Sequence, residues 1–260
     1  MMESPFKSDI FMNRVALVTG GSSGIGFEIA RQLGLHGARV AVSGRRQDVL
    51  DTAVAALGAD GITAVGLQGD VRSAASCEAW IDSLKQRWGP GLDVLVNCAA
   101  GNFLATAEEL SPNGFKTVME IDALGTFNMS RAAFPALRAS RCPHGAAIVN
   151  ISATLQYGAT WWQAHASAAK AAVDSITRSL ALEWGEFGVR VNGVAPGPIE
   201  GTAGESPYRE RVNGHLPSER QPRTSYSYQP SWLYREVAGR CICAFINRGN
   251  ARLDLLWIGH

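Results

Sequence analysis

Arg14–Gly26 reads RVALVTGGSSGIG. Residues 14–19 are a short, mostly apolar run with β-branched members, the composition of a buried strand. The glycines follow at once, in the spacing Thr19-Gly20-x3-Gly24-Ile25-Gly26, and an amphipathic helix is expected from about Phe27 to Leu35. A glycine loop between a strand and a helix lets backbone N–H groups approach a pyrophosphate, and the helix N-terminus adds a favourable dipole. Gly20, Ser22, Ser23, Gly24, Ile25 and Gly26 are therefore candidate cofactor-binding residues.

The same alternation continues along the chain. Strands are expected at residues 38–43 (ARVAVS), Thr63–Leu67, Asp93–Asn97 (DVLVN), Ala146–Ile151 (AAIVNI) and Val189–Val194. Helices are expected at Arg46–Leu57, Ser73–Trp88, 114–139 and Gln163–Trp184. Strand–helix alternation of this kind predicts an α/β fold, a doubly wound parallel sheet of the Rossmann-like type. Neither an internal repeat nor a low-complexity segment interrupts it.

The end of the second strand bears on the cofactor. NAD-binding sheets usually place Asp or Glu there, on the ribose hydroxyls. This chain has Ser43-Gly44-Arg45-Arg46. A guanidinium grips a 2′-phosphate with parallel hydrogen bonds, whereas an acid repels it. Arg45 and Arg46 thus point to NADPH, though either could be a solvated residue at a helix start. Asp70, followed by Val71 at the end of the third strand, either accepts from the adenine amine or caps the next helix.

Bulk properties exclude several classes. The chain has 260 residues and a net charge of +1, so the whole-chain charge argues for neither nucleic acid nor an anionic membrane. No apolar run reaches the roughly 18–20 residues of a membrane span. The N-terminal MMESPFKSDIF lacks the regions of a secretory signal. Five scattered cysteines form neither paired CxxC motifs nor a disulfide framework, so no metal is expected and a reducing compartment is the default.

The motifs together resemble the short-chain dehydrogenase/reductase family. TGGSSGIG matches its glycine motif, VNCAAG (Val96–Gly101) its fourth-strand signature, Lys170 the lysine of its YxxxK motif, and APGPI (Ala195–Ile199) its PG motif. Within the family, AAGNF (Ala99–Phe103), FKTVMEIDALGTFN (Phe115–Asn128), ISATL (Ile151–Leu155) and HASAAKAAVD (His165–Asp174) resemble the 2,4-dienoyl-CoA reductases, their peroxisomal branch in particular. The resemblance covers about three quarters of the chain and stops near Gly201. It implies that Asn97, Ala99, Lys170, Pro196, Gly197 and Ile199 lie at the cofactor. It also implies that Asn102 and Phe103 line an acyl-CoA site, Phe103 being alternatively plain core.

One departure carries chemical information. The family's tyrosine, four residues before Lys170, is Ala166, and its serine, 13 residues earlier still, is Ala153. A carbonyl reductase needs that phenol to protonate an alkoxide oxygen. A dienoyl thioester does not. Hydride can add at C5, charge then spreads to the thioester oxygen, and the proton goes to C2, giving a 3-enoyl thioester. The resemblance implies that Asp122, in the apolar stretch Val118–Leu124, works with Lys170 to activate a water. A carboxylate in such a stretch needs a partner. The alternative is that Asp122 only holds backbone or faces solvent. Tyr157 is a rival acid. His165 either touches substrate or packs, and Ser152, Thr154 and Ser167 are further candidate donors.

The implied function is NADPH-dependent reduction of 2,4-dienoyl-CoA to 3-enoyl-CoA in β-oxidation of unsaturated fatty acids. The alternatives are an enoyl- or 3-ketoacyl-thioester reductase of the same family, or a non-catalytic nucleotide-binding variant. Residues 1–202 are expected to form the cofactor-binding and catalytic domain. Residues 203–260 are expected to be a poorly ordered tail lacking the family's seventh strand. Before residue 201 the chain has 16 Lys+Arg against 18 Asp+Glu; after it there are eight cations, all Arg, against five acids. That break suggests an altered reading frame or alternative splicing beyond about residue 202. The resemblance implies a peroxisomal location, although Trp257–His260 lacks an SKL-type tripeptide and cytosol is the alternative. The same resemblance implies a homo-oligomer, which the tail puts in question.

Overall fold

The computed structural model describes residues 6–197 and 199, and the backbone of two later strands, 242–246 and 254–257. Six strands run parallel: β1 (Val15–Thr19), β2 (Arg39–Gly44), β3 (Ala64–Gln68), β4 (Val94–Asn97), β5 (Ala146–Ile151) and β6 (Val189–Pro196). Their spatial order is β3-β2-β1-β4-β5-β6, so the direction of winding reverses between β1 and β4. In open α/β sheets the crevice at such a reversal, outside the carboxyl ends of the strands, is where ligands bind.

The strands are buried because both faces are covered. All five residues of β1 are buried, and they alternate: Val15 and Leu17 enter one core, Ala16 and Val18 the other. Helices α1 (Gly24–Leu35) and α2 (Gln47–Ala59) cover the second face through Ala30, Leu50 and Leu57. Helix α3 (Ala74–Trp88) covers the first face with Trp80, Ile81 and Leu84. Helix α5 (Gly125–Arg138) adds Met129, Ala133 and Leu137 to that face, and α6 (Ala164–Trp184) adds Leu180. Burying one such leucine contributes about 1.5–3 kcal/mol.

The long helix expected at 114–139 is present but not uniform. Helix α4 (Pro112–Met119), capped by the Ser111 hydroxyl, runs into one π-helical turn, Glu120–Leu124, before α5. A π-turn re-aims the side chains it carries, and this one carries Asp122.

The sheet edge beyond β6 departs from expectation. A strand, β7 (Ile242–Ile246), pairs antiparallel with β6, and β8 (Asp254–Trp257) pairs antiparallel with β7. The edge is therefore occupied rather than bare. The apolar run ICAFI suits a strand once β6 offers its free edge. The rest of 201–260 lies outside the described residues, and with it the expectation of a poorly ordered tail.

Candidate active site

The glycine loop leaves β1 and enters α1 at the reversal point. Gly20 sits at φ +64°, and a Cβ there would lie 2.9 Å from the Ala99 Cα. A Cβ on Gly26 would lie 2.5 Å from the Gly20 carbonyl oxygen. Loop, α1 and the end of β4 are thus pressed together by the absence of side chains. The Thr19 hydroxyl completes the junction by accepting from the Cys98 and Ala99 N–H groups, each at 3.1 Å. Ser23 is the N-cap of α1 but its side chain makes no cap bond, and the first turn carries no acid. Above Gly24 a Cβ would meet nothing within 4 Å. Open space over an uncapped helix N-terminus suits an anion. Ser23 and Ile25 flank Gly24 in the chain, and a Cβ on Gly44 would lie 3.3 Å from the Ser22 hydroxyl.

Arg45 and Arg46 follow β2, both exposed and neither paired with a carboxylate among the described residues. Asp70 is not the cap of α3: the Ser73 hydroxyl accepts from the Ser76 N–H in that role. Instead the Arg72 guanidinium holds Asp70 at 2.6 Å and pushes its carboxyl below the usual range. Val71 is buried against α5, and its carbonyl accepts from the Asn128 amide at 3.1 Å. Asp70, Arg72, Ser73, Glu120 and Leu124 line a shallow depression.

Asp122 and Lys170 meet. Asp122 is 2% exposed; its Oδ2 lies 3.0 Å from the Lys170 ammonium, and its Oδ1 accepts from the Gly101 N–H at 2.7 Å. The ammonium also donates to the Ile151 carbonyl at 3.1 Å. Lysine has three donors, so one remains without a partner among the described residues. The alternative of a solvent-facing Asp122 is thereby removed. Burial pushes the Cys98 thiol up to about 11, with Lys170 pulling down and Asp122 pushing up, so Cys98 borders the pair. Ala166 is buried, and the place of the family's tyrosine holds only a methyl group.

Other candidates have commitments elsewhere. The Ser152 hydroxyl donates to Asp174 at 2.5 Å and is 3% exposed, so its proton is not free for a substrate. The Ser167 hydroxyl donates to the Leu155 carbonyl. The Asn97 side chain donates to Ser130 and Asn150 inside the sheet, at 2.9 and 2.8 Å; its Oδ1 is buried without a partner among the described residues. Its amide thus ties β4 to β5 and α5 rather than pointing at the cofactor crevice. Tyr157 is half-buried near Asp174, and burial first, then that carboxylate, push its phenol up to about 12. Such a phenol is a weak proton donor near neutrality.

Asn102 and Phe103 lie on the loop after β4. Asn102 is exposed, and its Oδ1 accepts from the Phe103 N–H at 2.8 Å. Phe103 is 43% exposed, which removes the plain-core alternative. Pro196 ends β6, and Gly197 and Ile199 follow it, partly buried. Asp174 and Gln156 were not singled out from sequence. Gln156 donates to both Ser152 and Asp174, at 3.1 and 2.6 Å. The signal for Asp174 was its position one helical turn after Lys170, on the same inward face.

Residues 14–213 match the family described as short chain dehydrogenase. This chain belongs to that family. Members work with a nicotinamide dinucleotide. The peroxisomal 2,4-dienoyl-CoA reductase [(3E)-enoyl-CoA-producing] of Arabidopsis thaliana is 57% identical over 211 residues, covering 79% of this chain and 70% of the relative. The protein of the same name from Pongo abelii is 46% identical over 200 residues, covering 76% and 67%. Among solved structures, a citronellol catabolism dehydrogenase of Pseudomonas aeruginosa PAO1 superposes with a TM-score of 0.70 at 32% identity, covering 78% of this short-chain dehydrogenase and 82% of the other. Among the described residues, no helix is long and apolar enough to cross a membrane, and no cluster of three or more His, Cys, Asp or Glu could hold a metal.

Proposed function

We propose that this short-chain dehydrogenase reduces 2,4-dienoyl-CoA thioesters to 3-enoyl-CoA with NADPH, within peroxisomal β-oxidation of unsaturated fatty acids. The observation that carries the proposal is the buried Asp122–Lys170 pair beside an alanine that replaces the phenolic acid. The relatives' printed name, with its (3E)-enoyl product, supports the same chemistry.

Residues 1–202 hold the parts. The uncapped start of α1 and Gly20–Gly26 receive the pyrophosphate, Arg45 with Arg46 the 2′-phosphate, and Asp70 the adenine. Lys170 holds the nicotinamide ribose with its remaining donor. When bound, the dinucleotide supplies the hydride that reaches C5 of the dienoyl chain. Through its charge rather than a further hydrogen bond, the Lys170 ammonium then stabilises the negative charge that develops toward the thioester oxygen and polarises a water held against Asp122. That water gives a proton to C2, and the hydroxide left behind takes a proton from bulk solvent to restore the water. Asp122, held by the Gly101 N–H, keeps the ammonium aimed. Asn102 lends its amide donors, which have no partner among the described residues, to the thioester end. A 3-ketoacyl substrate would need a full proton on oxygen, for which Ala166 and Ala153 offer nothing.

The test is NADPH oxidation with a 2,4-dienoyl-CoA and product analysis by mass spectrometry. A 3-enoyl-CoA product, with little turnover of 3-ketoacyl-CoA, is expected. A 2-enoyl product, or preference for the ketone, would replace this reading by the rival one.

A further inference from the structure

His165 does not belong to the pair, yet it is among the most enclosed polar side chains of the molecule, with no exposed surface. It is the second residue of α6, just after Trp162, whose φ of +61° bends the chain sharply into that helix. Left-handed backbone on a bulky residue costs about 1–3 kcal/mol and persists where the surroundings demand it. The His165 ring lies 4.4 Å from the Phe103 ring, and its Nε2 donates to the Phe103 carbonyl at 2.9 Å. That bond makes Nε2 the donor, and Nδ1 is buried without a partner among the described residues. A helix start thus spends a wholly buried imidazole on one loop carbonyl.

That loop is held from its other end by the pair itself. The Gly101 N–H donates to Asp122 at 2.7 Å, two residues before Phe103. The Ala105 N–H donates to the Trp162 carbonyl at 3.2 Å, two residues after it. Between these anchors Asn102 and the 43% exposed Phe103 stand as a shelf. An aromatic face presented at a rigid rim suits a planar, conjugated acyl chain better than a saturated one.

We infer that His165 is a positioning residue that sets this shelf for the thioester. Through its Nε2–H it holds Phe103 and Asn102 in register with the Asp122–Lys170 pair, and so governs thioester affinity rather than the chemical step. This rests on the dienoyl-thioester reading of the site.

The test uses the full chain and 2,4-hexadienoyl-CoA. His165→Phe keeps a ring and removes the donor; His165→Gln keeps a donor nitrogen. Loss of one hydrogen bond should raise the KM of His165→Phe about tenfold, and the calorimetric Kd with it, while kcat and the NADPH Kd stay within about twofold. His165→Gln should return KM to within about threefold of the parent. An unchanged KM in His165→Phe, or parallel loss of NADPH binding in both variants, would overturn the inference. A parent chain that binds hexadienoyl-CoA without reducing it would overturn the reductase reading instead, and the Kd pattern alone would then decide for or against His165.

Discussion

A buried carboxylate stands near each end of strand β4, and the two are built alike. Asp93, just before the strand, accepts from the Val15 N–H at 2.8 Å with one oxygen; with the other it accepts from Ser140 at 2.6 Å and faces Arg14 at 3.8 Å. Asp122, beyond the strand's far end, accepts from the Gly101 N–H and faces Lys170 at 3.0 Å. The difference lies in the cation. The Arg14 side chain is 27% exposed, with a fixed charge that never leaves; the Lys170 side chain is 11% exposed and is a point donor with a free N–H. Asp93 closes the bottom of the sheet. Asp122 lies at the winding reversal, where strand ends leave a crevice. On the proposed function, the same pairing serves stability at one end and chemistry at the other.

The largest expected effect separates them by activity. Asp122→Asn should lower dienoyl-CoA turnover by about a thousandfold or more, because the water loses its organiser. Steady-state assays with saturating NADPH check this. Should Asp93→Asn lower turnover as far, the division of labour between the two ends is wrong.

The second effect concerns the cofactor side of the same crevice. Arg45→Ala should weaken NADPH binding by about 1.5–3 kcal/mol and leave NADH nearly unchanged. Fluorescence titration of both dinucleotides reads it, and equal losses would remove the 2′-phosphate assignment.

Asp93→Asn supplies the third. It should cost about 1–3 kcal/mol of stability through its two hydrogen bonds, with turnover kept within about twofold. Urea denaturation at unchanged slope measures it. A variant as stable as the parent would mean that the lower carboxylate is idle.

The smallest effect belongs to Tyr157. With its phenol pushed up to about 12, the neutral form is favoured by folding. The associated stability is fully present below about pH 10, the usual tyrosine value, and is lost as pH rises toward 12. Tyr157→Phe should therefore change kcat by less than about threefold, with no tyrosine ionisation in the rate profile below pH 10. A large kcat loss would transfer the acid role to Tyr157.

Much of this was legible before any coordinates. The β-branched runs at 15–19, 39–44 and 146–151 and the glycine spacing define the sheet, because parallel strands buried on both faces admit few other residues. The Asp122–Lys170 contact was legible too, since a carboxylate in an apolar helix has to find a cation. Three features were not. Asp174 drew no attention in the sequence because its partners, Ser152 and Gln156, are neutral and leave no charge pattern to read. The π-turn at Glu120–Leu124 has no composition signature. The strand at Ile242–Ile246 is a short apolar run whose type depends on the free edge it meets. Ser152 and Asn97 illustrate the reason: a hydrogen-bonding side chain near a site says nothing about which partner claims it first, and theirs bond Asp174 and Ser130 with Asn150.

The upper pair is tested most directly by a double-mutant cycle in single turnover. Asp122→Asn, Lys170→Met and the double variant are each mixed with NADPH and a 2,4-dienoyl-CoA, and the first-turnover rate is read. If carboxylate and ammonium act as one unit on the water, the double variant is slower than the worse single one by no more than about threefold. Losses that multiply, each residue contributing its full factor in the absence of the other, would contradict it.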